Sequence, residues 1–444
     1  MRFCRSASAF AVASLCLLPL PAAGQTFNLR DLLTDFVRQG ITLAPPVAGI
    51  SHEAHFIGGD SPQFVALQQF NGELSNELSA FPLASSAGGF TYNYDASIGA
   101  FTRAADSFGP IYAERASTIG KGKLNIGLNY SHFTFDRIDD LNLRDGDVRL
   151  VFTHQDVNGD KSNLKPYVEG DVITARLFLK VNTDITAFVL SYGVSDRLDI
   201  GVAVPLVRVS LDAETDAAVQ RLATGPGSPI HTFLGGGTTE VFRQTGSASG
   251  VGDILLQAKM RIAQGRLGGV AVAADLRLPT GEERDLLGTG ATQAKAFVVG
   301  SLRLGPFSPH INAGYTWSAN ASGGRRIPDE IAYTGGFDWA LTPRLTFAAD
   351  AIGRTLRKAQ VVRVVETTFQ YNTNPDPAAV PDVHTASFPR LISESRDSSS
   401  LLGSVGLKIN PFGNFLLTIN GLFALNHKGL ADKFAPLVGF DYSF

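Results

Sequence analysis

Few side chains in this sequence are spaced for catalysis. His52-Glu53-Ala54-His55 comes nearest to a metal-binding pattern, but its histidines are three apart, and a zinc-protease helix needs four to aim both at one ion. It reads as a polar loop. Hydrolysis by a Ser–His pair, as on twelve-stranded barrel phospholipases, would need a serine in a nucleophile context beside His310, and the sequence offers none. His154, His231 and His384 read as loop residues, and the Gly235-Gly-Gly run lacks the lysine of a phosphate-binding loop. A net charge of -3 leaves no basic footprint for nucleic acid. The expectation is no catalytic residue, no metal and no cofactor: not an enzyme.

What the sequence does space regularly is charge, at every second position and on one side. Val251 to Ile262 sets Asp253, Lys259 and Arg261 opposite Ile254, Leu256, Ala258, Met260 and Ile262. Pro309 to Ser318 sets His310 and Asn312 opposite Ile311, Ala313, Tyr315 and Trp317, and Asp329 to Leu341 sets Asp338 opposite Phe337 and Trp339. Asp275, Arg277, Lys295, Arg303, Asp350, Lys408 and Asp441 fall the same way in their own segments. A period of two with unlike faces is a strand between two unlike solvents. If the apolar face meets lipid, a charge there costs about 2–4 kcal/mol near the midplane, and the charged face lines a lumen. For most of these residues a solvated or mutually paired wall is the plain reading.

These strands belong to an exported chain. Arg2 and Arg5, an apolar run from Ala7 to Leu20, and the exit Ala22-Ala23-Gly24 form a secretory signal peptide over residues 1–24. Both cysteines, Cys4 and Cys16, fall inside it, and the bulky Leu15 before Cys16 argues against lipidation. No later apolar run is long enough to span a bilayer as a helix. The chain ends on Phe434, Pro436, Val438, Phe440, Tyr442 and Phe444 in strict alternation, and the outward Phe440, Tyr442 and terminal Phe444 suit recognition by the barrel-assembly machinery. Residues 118–444 therefore read as an all-β, transmembrane, antiparallel up-and-down barrel of about twelve strands in the outer membrane of a Gram-negative-type bacterium.

Counting back from Phe444 assigns the connections. Those placed at the periplasm, at 410–414, 342–344, 305–308, 263–269 and 193–197, are short. The opposite set, 137–171, 213–249 and 355–398, is long, polar and rich in Gly, Ser and Pro, as extracellular loops are. Val172 to Tyr192 reads as one long strand rising past the membrane, Val148 to His154 as a hairpin above it, and Val361 to Tyr371 as a protruding hairpin.

Residues 25–117 read differently. Leucines and phenylalanines at helical spacing predict two short amphipathic helices, over Asn28 to Gln39 and Ser61 to Ala80. Phe81 to Ser117 is low in charge and carries Phe90, Tyr92, Tyr94, Phe101 and Phe108. Leu255, Phe297, Val299, Leu416, Leu422 and Leu437 fall on the lumenal face, where small residues such as Gly336, Ala348, Gly406 and Gly439 leave room. Part of Phe81 to Ser117 is therefore expected to enter the barrel as a plug. The alternative is a flexible periplasmic stalk.

Three motifs come in a fixed order: Tyr192-Gly-Val-Ser-Asp-Arg-Leu-Asp-Ile-Gly, Gly250-Val-Gly-Asp-Ile, and Leu278-Pro-Thr-Gly-Glu followed by Leu287-Gly-Thr-Gly. In that order they resemble the MetA phenol-degradation family of outer-membrane proteins, itself similar to transporters of long-chain fatty acids and aromatic hydrocarbons. The resemblance spans roughly residues 118–444 and implies passive passage of small, apolar or aromatic molecules. An outer-membrane phospholipase and a structural or secretory barrel are the rival readings. Membrane lipid, the assembly machinery and a small-molecule substrate are the partners expected; the sequence does not give an oligomeric state.

Overall fold

A computed structural model describes residues 28–41, 43–44, 56, 62–79, 89–95, 100–103, 105–154, 164, 167–225, 230–376 and 378–444. The signal peptide expected over residues 1–24 and the His52–His55 pattern lie outside the described residues.

Twelve strands close a ring: β1 Leu124–Phe135, β2 Val172–Gly193, β3 Leu198–Gln220, β4 Ile254–Gln264, β5 Gly268–Leu278, β6 Gln293–Leu302, β7 Phe307–Ser318, β8 Asp329–Thr342, β9 Leu345–Asn372, β10 Val383–Ile409, β11 Phe415–Ala424 and β12 Ala435–Ser443. Each pairs antiparallel with its neighbours in sequence, and β12 returns to β1 with Val438 opposite Tyr130 and Phe440 opposite Leu128. The aromatic terminal strand is thus the seam that removes the last free edge.

The two faces separate as the alternation requires. Val298 on β6 is 52% exposed, while its neighbours Phe297 and Val299 are 7% and 0% exposed. Leu256, Met260, Ile311, Trp317, Tyr333, Trp339, Ile419, Phe440 and Tyr442 are exposed on the outer face. Lys259, His310, Asn312, Asp338, Asp350 and Lys408 are buried on the inner one. Apolar outside and polar inside is the inverse of a soluble barrel and fits a protein whose outer solvent is lipid.

Strand length around the ring is uneven. β5 to β8 have 10 to 14 residues, whereas β2 and β3 have 22 and 23 and β9 and β10 have 28 and 27. Segments 213–249 and 355–398, expected as loops, are therefore in large part strand: β3 runs to Gln220, Thr239–Val251 pairs with its upper half, and the β9–β10 hairpin stays in register to Asn372 opposite Val383. Thr239–Val251 alternates in exposure without alternating in hydropathy, so the periodicity that marked the other strands is missing there, whereas the upper part of β3 does alternate, with Leu211, Ala213, Ala217 and Val219 buried between Asp212, Glu214 and Asp216. Val172–Gly193 is one continuous strand, and Val148–Thr153 pairs with its upper end, beyond the stretch held by β1.

Val298→Arg is expected to destabilise the barrel by about 2–4 kcal/mol in lipid vesicles. Reversible urea unfolding measures this, and an unchanged midpoint would mean that this face does not meet lipid.

Candidate functional site

An extended chain crossing a barrel interior has no neighbouring strand to take its backbone hydrogen bonds, and buried N–H and C=O groups must be satisfied. Residues 107–119 cross the ring near its short-turn end, and side chains of the wall supply the partners. Thr346 Oγ1 accepts from Phe108 N at 2.9 Å; Asp350 Oδ2 accepts from Ile111 N at 3.2 Å and Tyr112 N at 3.0 Å. Asn312 bonds in both directions, accepting from Glu114 N at 2.7 Å and donating to Glu114 O at 2.9 Å. Ser301 Oγ takes Ala116 N at 2.9 Å, and Asp199 takes Ile119 N at 3.0 Å. Lys408 Nζ donates to Pro110 O at 2.5 Å and more weakly to Phe108 O at 3.4 Å. Lys259, 2% exposed, pairs with Glu114 at 3.1 Å.

This segment forms a floor with its own packing. Leu416 of the wall packs on Phe90 and Phe108, whose rings meet edge to face at 5.3 Å, and Phe297 and Val299 pack on Ala116. A side chain at Gly406 would stand 2.7 Å from Ile111 Cδ1, so the small lumenal residue gives the floor its room. Tyr92 lies under the Lys123 ammonium, and Tyr94 and Phe101 are register partners in a small hairpin of Tyr92–Asp95 with Ala100–Arg103. His310 bridges two carboxylates, 2.9 Å from Asp350 and 3.5 Å from Asp338. Its Nε2 thereby holds Asp350, the residue that carries two floor amides, while Nδ1 faces Asp338.

The helices form a roof. α1 Leu32–Gly40 and α2 Pro62–Ser79 lie among the loop-end halves of the strands. Leu29, Leu33 and Phe36 join one core with Phe133, Phe152, Val209 and Phe233, and α2 buries its polar side as well as its apolar one. Several groups on the polar side meet partners in the wall. Gln63 donates to Leu391 O, Glu77 pairs with Arg354 at 2.5 Å and accepts from Leu430 N, Asn76 accepts from Arg325, and Ser79 O accepts from Arg277.

Between floor and roof lies a cavity of about 210 Å³. Asp275, Arg277 and Lys295 line it, with Tyr112 and Glu114 from the floor and Glu77 from the roof. The remaining residues expected in the lumen lie elsewhere. Asp441 accepts from Asn125 at the β12–β1 seam; Arg261 is half-buried low on β4; Arg303 sits past the end of β6 and donates to Gly265 O at the turn.

Asp253 has a different task. The line of β4 is broken at Gly252–Asp253, and the Asp253 carboxylate takes Gly281 N at 3.1 Å and both Thr289 N and Thr289 Oγ1 at 2.8 Å. Thr280 Oγ1 accepts from Ile254 N and donates to Gly252 O. A Cβ at Gly281 would lie 2.5 Å from Leu287 O. The second and third motifs are thus two halves of one device that folds the β5–β6 loop onto the strand break. That loop carries Glu283, which grips Arg30 at 2.6 Å and Arg325 at 3.1 Å and so ties α1 to the wall. The first motif meets the floor: Gly193 approaches Gly120 so closely that a Cβ would lie 1.8 Å from its carbonyl oxygen. Glu114 and Glu283 were not singled out by the sequence, and Asp199 entered only as part of the first motif. The adjacent Glu114-Arg115 pair in a stretch poor in charge was the available signal.

Residues 165–358 match the family described as "Putative MetA-pathway of phenol degradation", which bears out the resemblance carried by the motifs over that span. Nothing matches among curated proteins. Among solved structures the chain is similar to an outer-membrane channel of Pseudomonas putida F1, with 12% identity, 74% of this chain and 98% of that one covered, and a TM-score of 0.42. It is also similar to the Ralstonia pickettii toluene transporter TbuX, with 13% identity, 83% and 99% covered and a TM-score of 0.30. A Pseudomonas aeruginosa FadL homologue has 13% identity, 80% and 94% covered and a TM-score of 0.30.

Asp350→Ala strands two floor amides, each worth about 1–3 kcal/mol when left buried without a partner. In an Ala113→Cys background it is expected to speed thiol labelling at residue 113 by roughly tenfold or more; equal rates would show that Asp350 does not hold the floor. The roof has a pH dependence. Burial, reinforced by Glu77 and Asp139, pushes the Glu73 carboxyl from 4.5 up to about 8. A carboxyl raised in the folded state weakens the docked form as pH climbs from 4.5 towards 8, with no further loss above that. Hydrogen exchange of α2 is expected to quicken over this window, and Glu73→Gln should flatten the response; a response identical in the variant would contradict it.

Proposed function

We propose that this protein is a gated passive channel that carries small organic molecules across the outer membrane, with residues 107–119 as the gate. One observation carries the reading. The lumenal side chains that would conduct solute are instead bonded to the floor, through ten contacts that a displaced floor would release together. A twelve-stranded barrel has an intermediate bore. Among the described residues, floor and roof together fill most of it, so passage requires one or both to shift. The match to a phenol-degradation family supports an aromatic or similarly apolar cargo, and the apolar wall residues Leu255 and Phe297 on the cavity suit it.

Planar-bilayer recording tests this on the mature chain and on a variant lacking residues 25–117. The mature chain is expected to show rare, small openings and the variant a steady, several-fold larger conductance. Equal conductance would sink the gate.

A further inference from the structure

Among the described residues, most charged side chains around the cavity have a hydrogen-bonded or ion-paired partner. Arg354 is held by Glu77 at 2.5 Å and faces Glu330 at 3.9 Å. Arg277 donates to Ser79 O, and Lys259 pairs with Glu114 beneath. Asp275 accepts from Gln257 Nε2 at 3.0 Å. Lys295 stands opposite Asp275 in the β5–β6 register and attracts its carboxylate from a distance, yet among the described residues no acceptor lies within hydrogen-bonding distance of its ammonium. The group instead hangs 4.8 Å over the Phe297 ring, on the edge of the cavity.

An ammonium above an aromatic face keeps part of its attraction through the ring but leaves its three donors unused. The adjoining wall is apolar in a continuous row, since Val189, Ala203 and Leu255 are register partners across β2, β3 and β4. The volume of about 210 Å³ admits a small organic molecule.

We infer that the cavity is a binding site for a small organic carboxylate, its charged end on the Lys295 ammonium and its apolar body against Phe297 and the Val189–Ala203–Leu255 row. A cationic cargo has no comparable place, because the carboxylates on the cavity already have amide or cationic partners. This rests on the channel reading and gives the cargo a charge.

Calorimetric titration of the full mature barrel in detergent tests it with benzoate, benzyl alcohol and benzylamine as probes. Benzoate is expected to bind saturably and at least about tenfold tighter than the other two, as one charge-assisted hydrogen bond allows. Lys295→Gln should weaken benzoate by about tenfold and leave benzyl alcohol unchanged, while Lys295→Arg keeps most of the benzoate affinity. Heat-modifiable migration in gels confirms that each variant has folded. The inference is overturned if benzoate does not saturate, if Lys295→Gln binds it as the parent does, or if benzylamine binds as tightly. If benzoate binds as expected but no solute crosses proteoliposomes, the channel reading fails and the site stands.

Discussion

The demand that a buried backbone find hydrogen-bond partners organises this molecule twice. In the wall it is met by closure: twelve strands satisfy one another, and β12 on β1 leaves no edge for lipid to meet. Inside, residues 107–119 have no strand beside them, so the wall must answer with side chains, and it can do so only from the inward positions that alternate with lipid-facing ones. Thr346, Asp350, Asn312, Ser301 and Asp199 hold those positions on four different strands. A floor fixed this way is specific in register yet built from contacts individually worth about 0.5–1.5 kcal/mol, rising to roughly 3 where charge is involved. It can hold firmly and still be released as a unit.

The uneven rim completes the enclosure. The tall strands β2, β3, β9 and β10 shelter α1 and α2, and above the shorter β5 to β8 the β5–β6 loop closes in. Asp253 draws that loop down on the strand break, and Glu283 extends from it to Arg30 and Arg325. Motifs that looked like signatures of passage are, physically, the fixings of the parts that block it: one clasps the floor at Gly193 and Asp199, the others clasp the roof.

The barrel was legible because lipid imposes a strong rule at every second residue, and the short turns confirmed the count. Helix positions were legible from their leucines and phenylalanines, but not their location, since a helix read as amphipathic gives no sign that its polar side meets protein rather than water; Gln63, Glu73 and Glu77 on α2 are buried. The strand Thr239–Val251 was hidden because its faces differ in exposure and not in polarity. At the site, Lys259, Asn312, Asp350 and Lys408 could be placed on the lumenal face, yet which of them grip the floor depended on where residues 107–119 cross, a long-range fact that spacing does not encode. Asp253 shows the limit from the other side: its face could be read, but its task lies in a loop 28 to 36 residues further on.

Gating by the floor can be tested by fixing it in place. Cys4 and Cys16 are the chain's only cysteines, so a variant lacking residues 1–24 that carries Ala116→Cys and Ser301→Cys, positions joined by a 2.9 Å hydrogen bond, has one pair of thiols. Solute flux into proteoliposomes would be measured with that pair oxidised and again after reduction. Movement of the floor predicts that flux stops in the oxidised protein and returns with reductant. The same flux in both states would show that molecules pass with the floor in place.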